Sequence, residues 1–283
     1  MNKNVIISKP ELFEKIKHNF KLSGANKFHV VADFDRTLTQ AFVNGEKIPS
    51  LMYLLREENI LGDTYTKRAQ EYYEKYYPIE LDPNYPIEKK KKMMQEWWEK
   101  IFDLLIESKL NIQDIERVIK NDHLQLRGGT TQFLNFLKEK NIPLIIISSN
   151  GLGDESISAY LENRGKLYKN IHIVSNSFEW DNEGYAKGIK KPIIHVMNKD
   201  ETSLSEFPFF REIKDRKNVL LLGDSLGDVG MVSGFKYKNL IKVGFLNEEI
   251  DKNLEKYKEN FDVVILNDSD MSYVNEMMKE IIK

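Results

Sequence analysis

The stretch Phe28-His29-Val30-Val31-Ala32-Asp33-Phe34-Asp35-Arg36-Thr37 decides the fold class. Its first five residues are mainly apolar and include adjacent β-branched side chains, which is typical of a short buried strand. Residues two apart in an extended segment project to the same side, so we expect Asp33 and Asp35 to share a site while Phe34 faces the core. Two adjacent carboxylates repel each other, which indicates either a bound cation between them or a carboxyl that holds a proton.

A second apolar run, Val219–Leu222, leads into a glycine-rich turn that carries Asp224 and Asp228. In open α/β sheets, ligands bind at the carboxyl edge of the strands. Asp33, Asp35 and Asp224 together would provide a hard-oxygen site suited to Mg²⁺, which prefers carboxylates, water and phosphate. Asp228 would hold a metal-bound water or a neighbouring backbone group.

A third predicted strand, Pro143–Ile147, ends in hydroxyl and amide groups, among them Ser149 and Asn150. A helix is predicted to begin directly afterwards, near Gly153. The N-terminus of a helix attracts anions, so this turn is a candidate anion site. Lys199, taken alone, has no feature that separates it from an ordinary surface lysine.

The order of the elements predicts an α/β fold with an insertion. Beyond about residue 125, strands alternate with helices, which indicates βαβ units and a mainly parallel sheet. Residues 40–124 instead show helical periodicity and many aromatic and charged residues, with no convincing strand. We therefore predict a core domain of residues 1–39 and 125–283 and a helical cap of residues 40–124.

The composition excludes several kinds of site. The chain has 283 residues, 42 Lys and Arg against 44 Asp and Glu, and no cysteine, so disulfides, cysteine–zinc sites, iron–sulfur clusters and thiol nucleophiles are ruled out. No run approaches the ~20 apolar residues of a spanning helix, and no signal peptide is evident. We expect a cytoplasmic protein without a membrane or nucleic-acid partner, and we interpret Lys89–Lys92 as a solvated helix face.

Taken together, these motifs resemble those of the haloacid dehalogenase (HAD) phosphohydrolases. That resemblance depends on Asp33-x-Asp35-x-Thr37, Ser149, a downstream lysine and the Gly223–Asp228 turn, in that order, with the insertion at the cap position. It implies a three-layer, Rossmann-like core. Five further segments resemble the cytosolic pyrimidine 5′-nucleotidase family: Tyr76–Pro83, Glu96–Trp98, Asn170–Asn176, Ile194–Lys199 and Val243–Asn247.

The resemblance implies a role for each motif residue. Asp33 would be the nucleophile and a magnesium ligand. Asp35 would be the general acid/base and would contribute its backbone carbonyl to the metal. Asp224 would complete the metal site. The remaining roles would be phosphate binding by Ser149, Asn150 and Lys199, and recognition of the base by Glu80 and Trp98.

Departures from the family pattern leave the preferred base open. Ile101 stands where some members have a base-contacting serine, and Arg36 replaces a usual apolar residue. Cytidine, uridine and methylated guanosine monophosphates remain possible substrates. The alternatives are a HAD phosphatase for another small ester, such as phosphoserine or a sugar phosphate, and a catalytically silent binding protein. We expect a monomer or weak oligomer.

Overall fold

A seven-stranded sheet lies at the centre of the computed structural model, which describes residues 3–48, 50–82, 84–120, 124–199, 204–205, 207–233 and 236–282. The strand order is β1-β11-β10-β9-β2-β5-β6, and every neighbouring pair is parallel except β1 and β11. The strands are β1 Val5–Ile7, β2 Phe28–Ala32, β5 Leu144–Ile147, β6 Ile171–Val174, β9 Asn218–Gly223, β10 Asn239–Leu246 and β11 Val263–Leu266. The predicted α/β class with a mainly parallel sheet is therefore confirmed.

Both faces of the sheet are covered, which explains why its central strands are apolar without alternation. Val30 packs on one face in a cluster with Phe13 and Phe133, whereas Val31 packs on the other face with Ile213 and Met231. The helices outside the insertion are α1 Pro10–Ser23, α6 Thr130–Glu139, α7 Gly153–Asn163, α8 Phe210–Ile213, α9 Ile250–Asn260 and α10 Ser272–Ile281.

The insertion after β2 contains four helices, α2 Leu51–Glu57, α3 Asp63–Leu81, α4 Ile87–Glu107 and α5 Ile112–Ile119. It also contains a short antiparallel hairpin, β3 Phe42–Val43 and β4 Glu46–Lys47, so the expectation that this segment lacks strands was wrong. Asp268 holds this hairpin by accepting hydrogen bonds from two of its backbone amides. The boundary of the cap at residues 40 and 124 stays a prediction.

A second hairpin, β7 Phe178–Trp180 and β8 Ala186–Ile189, leads out of the sheet towards the insertion. Phe178 meets Phe102 of α4 edge to face, with ring centroids 5.6 Å apart. Among the described residues, no helix has the length and apolar character needed to span a membrane.

Candidate active site

Three neighbouring strands bring the predicted site residues together. Strands β9, β2 and β5 lie side by side in the sheet, and each is followed by one of the polar motifs. The amide of Asp33 donates to the carbonyl of Leu222 at 3.0 Å, which extends the pairing of β2 with β9 to the first carboxylate. The sequence folds this way because each apolar strand ends where its polar turn begins.

Lys199 lies against the first carboxylate of the motif. Its Nζ is 2.6 Å from Oδ1 of Asp33 and 3.1 Å from Oδ1 of Asp228. Burial raises the pKa of Asp33 well above the usual range of a carboxyl, and Lys199 opposes that rise. Burial also acts to lower the pKa of Lys199, but the two carboxylates outweigh it and hold the ammonium charged.

The carboxylates of Asp33, Asp224 and Asp228 form one cluster, with one oxygen of each lying within 4.8 Å of the others. Burial, followed by the neighbouring Asp228, raises the pKa of Asp224 to about 7. Three carboxylates gathered this closely are stabilised by a hard cation, and their oxygen atoms are ligands that Mg²⁺ prefers. The donor set therefore fits the predicted metal. The side chain of Asp35 lies outside this cluster.

Asp228 also organises the turn that carries Asp224. Its Oδ2 accepts hydrogen bonds from the backbone amides of Asp224 and Ser225 and from the Ser225 hydroxyl. Asp228 folds so closely over the end of β9 that a Cβ at Gly223 would lie 2.5 Å from it. Glycine at this position therefore permits the contact that orients the turn carrying Asp224.

Asp35 lines a cavity beside this cluster, and burial raises its pKa. The next residue, Arg36, has a left-handed backbone with φ of 58°, an arrangement that L-residues rarely adopt. The buried guanidinium of Arg127 binds the carbonyl of Arg36 and donates to that of Thr37 at 2.8 Å. Arg127 thus fixes the turn that presents both aspartates.

The predicted phosphate turn lies on the same cavity, which Ser149 and Asn150 both line. The side-chain oxygen of Asn150 accepts from the amide of Leu152 at 2.8 Å, so this side chain shapes the turn before α7. A Cβ at Gly151 would lie 2.7 Å from the side chains of Met52 and Trp98. The insertion therefore rests directly on the phosphate turn.

A cavity of about 890 Å³ connects the strand ends to the insertion. Asp35, Ser149 and Asp224 line it on one side, and Glu80 and Trp98 line it on the other. Trp98 stacks on Phe102, with ring centroids 5.4 Å apart. Ile101 is 7% exposed and adds an apolar surface to the wall.

Glu80 is held at the end of α3 by a lysine of the basic run. Lys90 is buried, and its Nζ donates to the carbonyls of Glu80 at 2.9 Å and Asp82 at 2.6 Å. A cation at the C-terminus of a helix is stabilised by the helix dipole. Burial raises the pKa of Glu80, and Lys90 and Lys199 oppose that rise.

Two positioning residues were not predicted. Arg127 has no motif around it, although a buried arginine requires several acceptors. Asn176 joins the phosphate turn to the loop of Lys199, because its Nδ2 donates to the carbonyls of Asn150 and Ile194. The signal for Asn176 was its place directly after β6, which matches the place of the other strand-end polar residues.

Comparison with known proteins agrees with this geometry. Residues 36–282 match the family described as pyrimidine 5′-nucleotidase (UMPH-1). The chain belongs to this family. Its enzymatic class is accordingly that of a HAD-type phosphomonoester hydrolase, a 5′-nucleotidase.

Similar members of the 5′-nucleotidase group come from vertebrates. The 7-methylguanosine phosphate-specific 5′-nucleotidase A of Xenopus laevis is 35% identical over 257 residues, which cover 90% of this chain and 88% of that protein. The 7-methylguanosine phosphate-specific 5′-nucleotidase of Homo sapiens is 32% identical over 283 residues, which cover 100% of this chain and 94% of that protein.

Solved structures show the same relationship. The crystal structure of cytosolic 5′-nucleotidase IIIB bound to cytidine is 30% identical and has a TM-score of 0.89, with 99% of this chain and 94% of that chain covered. A phosphoserine phosphatase has a TM-score of 0.53 at 16% identity, over 91% and 99% of the two chains. Because the identity is so low, the similarity to the phosphoserine phosphatase shows only that the two chains share the HAD fold.

Proposed function

We propose that this 5′-nucleotidase hydrolyses nucleoside 5′-monophosphates through an aspartyl-phosphate, with Mg²⁺ as cofactor. The observation that carries the proposal is the cavity that joins Asp35, Ser149 and Asp224, beside the buried Asp33–Lys199 pair, to Glu80 and Trp98. Its volume of about 890 Å³ lies within the range of small-molecule sites and accommodates a nucleotide.

In this mechanism the chain's own groups position and neutralise the phosphate. A Mg²⁺ held by Asp33, Asp224 and the carbonyl of Asp35 would offset negative charge on the phosphate and the carboxylates. Lys199 lies on Asp33, so it holds the nucleophile in place and lowers the repulsion between a carboxylate and a phosphate dianion. Asp33 attacks phosphorus and forms the acyl phosphate.

Asp35 transfers the protons. Its raised pKa favours the protonated form, which donates to the departing 5′-oxygen of the nucleoside. The resulting carboxylate then accepts a proton from the water that hydrolyses the acyl phosphate. Ser149 and the backbone near Asn150 bind the phosphate oxygens throughout.

The nucleoside would extend towards the insertion. Trp98 offers an aromatic face for stacking, and Glu80 accepts hydrogen bonds from ring N–H or amino groups of a base. Relatives are named for 7-methylguanosine phosphate, and one similar structure contains cytidine, so we propose nucleotides of these two bases as first substrates. The neighbour described as cytosolic supports cytoplasmic residence.

The test is phosphate release with Mg²⁺ from 7-methylguanosine, cytidine, uridine and adenosine 5′-monophosphates, beside phosphoserine and ribose 5-phosphate. We expect kcat/KM for at least one nucleotide to exceed the values for both base-free esters by tenfold or more. Faster hydrolysis of phosphoserine or ribose 5-phosphate than of every nucleotide would overturn the proposal and favour a different small ester.

A further inference from the structure

Two hydrogen-bond donors on the insertion side of the cavity have no acceptor among the residues that the structure describes. The hydroxyl of Tyr65 and Nε1 of Trp97 are buried, and neither has a hydrogen-bond partner among the described residues. Both residues line the cavity. A buried polar atom without a partner costs free energy, and such atoms are few in folded proteins. Two of them in one cavity indicate a ligand that accepts hydrogen bonds.

The hydroxyl of Tyr65 keeps a proton that it can donate. The side chain is fully buried on α3, and burial raises the pKa of its hydroxyl, which therefore keeps its proton at neutral pH. The charged neighbour that acts on it is Arg56. A guanidinium only donates hydrogen bonds, so Arg56 does not accept the proton of Tyr65.

Packing on both sides fixes the indole of Trp97. Its ring stacks on Tyr76 with centroids 5.8 Å apart and planes 12° apart, and it lies 6.4 Å from the ring of Trp98. An indole N–H is a donor only. Rotation of Trp97 to find an acceptor elsewhere would break these ring contacts, so its partner must come to the cavity.

The insertion side of the cavity therefore combines hydrogen-bond donors with the carboxylate of Glu80. Tyr65, Trp97 and Arg56 donate, and Glu80 accepts. A nucleobase that carries an exocyclic carbonyl beside an amino group or ring N–H complements this pattern. Resting on the proposed function, we propose that the Tyr65 hydroxyl, with the indole N–H of Trp97, donates to a carbonyl oxygen of the substrate's base and so selects carbonyl-bearing bases.

Cytidine 5′-monophosphate gives a sharp test, because cytosine has a single exocyclic carbonyl. Its 2-thio analogue replaces that oxygen with sulfur, a weaker acceptor. For the wild type we expect the replacement to lower kcat/KM by about 2- to 12-fold, the effect of one neutral hydrogen bond. Tyr65→Phe should lower kcat/KM for cytidine 5′-monophosphate by a similar factor, and the sulfur should then cause little further loss.

The matched control is Tyr76→Phe on the same helix. The hydroxyl of Tyr76 donates to Glu96 at 2.6 Å, so its removal should lower the melting temperature. It should not change the factor by which the sulfur lowers kcat/KM. Tyr65→Phe removes a hydroxyl without a partner, so its melting temperature should equal or exceed that of the wild type. If Tyr65→Phe lowered the melting temperature as much as Tyr76→Phe does, that result would contradict the inference.

Two further results would overturn the inference. In the first, the losses of kcat/KM caused by Tyr65→Phe and by the sulfur multiply when the two changes are combined. In the second, Tyr65→Phe lowers kcat/KM equally for ribose 5-phosphate, which has no base. Trp97→Phe, measured with the same oxygen and sulfur substrates, provides a second variant in case Tyr65→Phe does not fold. Failure of the proposed function is distinguishable, because the wild type would then hydrolyse phosphoserine or ribose 5-phosphate faster than every nucleotide.

Discussion

The ammonium group of Lys199 lies 2.6 Å from the carboxylate of Asp33, although 166 residues separate the two in the chain. Lys199 reaches this position from a loop that is stabilised by internal hydrogen bonds. The amide of His195 donates to Asn198 at 2.7 Å, and Asn198 donates to the carbonyl of Ile193. The loop thus delivers a buried positive charge to a cluster of buried negative charges.

Lys199→Met should lower kcat by about 10²- to 10³-fold, the usual cost of losing one preorganised electrostatic group. The variant leaves Asp33 and Asp228 without their ammonium partner, so we also expect a lower melting temperature without Mg²⁺. Kinetics and thermal unfolding check both effects. Lys190→Met, an exposed lysine of the same connection, serves as the control, and equal activity of the two variants would contradict the role of Lys199.

Asp33→Asn and Asp35→Asn should fail in different ways. The first removes the attacking oxygen, so no acyl phosphate forms and activity should be abolished. The second keeps the nucleophile and loses proton transfer, which contributes roughly 10²- to 10⁴-fold, so residual turnover should persist. Trapping with labelled substrate distinguishes them, and a phosphorylated enzyme recovered from Asp33→Asn would disprove the assignment.

Removal of divalent cations should abolish activity and lower the stability of the folded enzyme. In the proposed mechanism Mg²⁺ binds the folded carboxylate cluster, so at 100 times its dissociation constant it should add about 2.7 kcal/mol to the free energy of unfolding. Asp224→Asn should lose this stabilisation, whereas Asp251→Asn, an exposed aspartate on α9, should retain it. Full turnover in chelator would refute the metal site.

Glu80→Gln should impair nucleotide hydrolysis selectively. Loss of a hydrogen bond to a charged group costs about 1.5–3 kcal/mol, so kcat/KM for the preferred nucleotide should fall by about 10- to 150-fold. Hydrolysis of p-nitrophenyl phosphate should change little, as should both activities in the control Glu88→Gln, an exposed residue of α4. Equal losses on both substrates would show that Glu80 stabilises the turn after α3 instead of reading the base.

The strand-end motifs could be predicted because local pattern and chemistry coincide in them. Asp33, Ser149 and Asp224 each follow an apolar strand, and parallel strands end at one edge. The short hairpin β3–β4 was missed because its strands have two residues each and depend on a distant partner, Asp268. Strand β1 was missed for a similar reason, since its pairing partner β11 lies at the far end of the chain.

Residues that act through tertiary contacts leave little trace in the sequence. Arg127 binds carbonyl groups from two segments, those of Thr37 and Ser269. The residues near Arg127 in the chain do not predict either contact. Lys90 belongs to a run that indicates a solvated face, yet it is the buried member that caps α3. In both cases the acceptors include backbone carbonyls, whose positions only the folded chain defines.

Glu155, in the first turn of α7, should make stability depend on pH. Its Oε1 accepts from Nε1 of Trp180 at 2.7 Å, while Oε2 is buried without a partner among the described residues. Burial, followed by the neighbouring Asp154, raises the pKa of Glu155 from 4.5 to about 7. The folded protein therefore binds more protons than the unfolded chain between these two values.

The stabilising effect of this protonation is complete below about pH 4.5 and is lost as the pH rises through 7, because the charged carboxylate is poorly accommodated. Glu155→Gln keeps a neutral acceptor for Trp180 and removes the titration. We therefore expect the melting temperature of Glu155→Gln to exceed that of the wild type by a margin that grows from pH 5 to pH 8. Glu162→Gln, exposed on the same helix, should show no such trend, and a margin that is constant across this range would exclude titration of Glu155 as the cause.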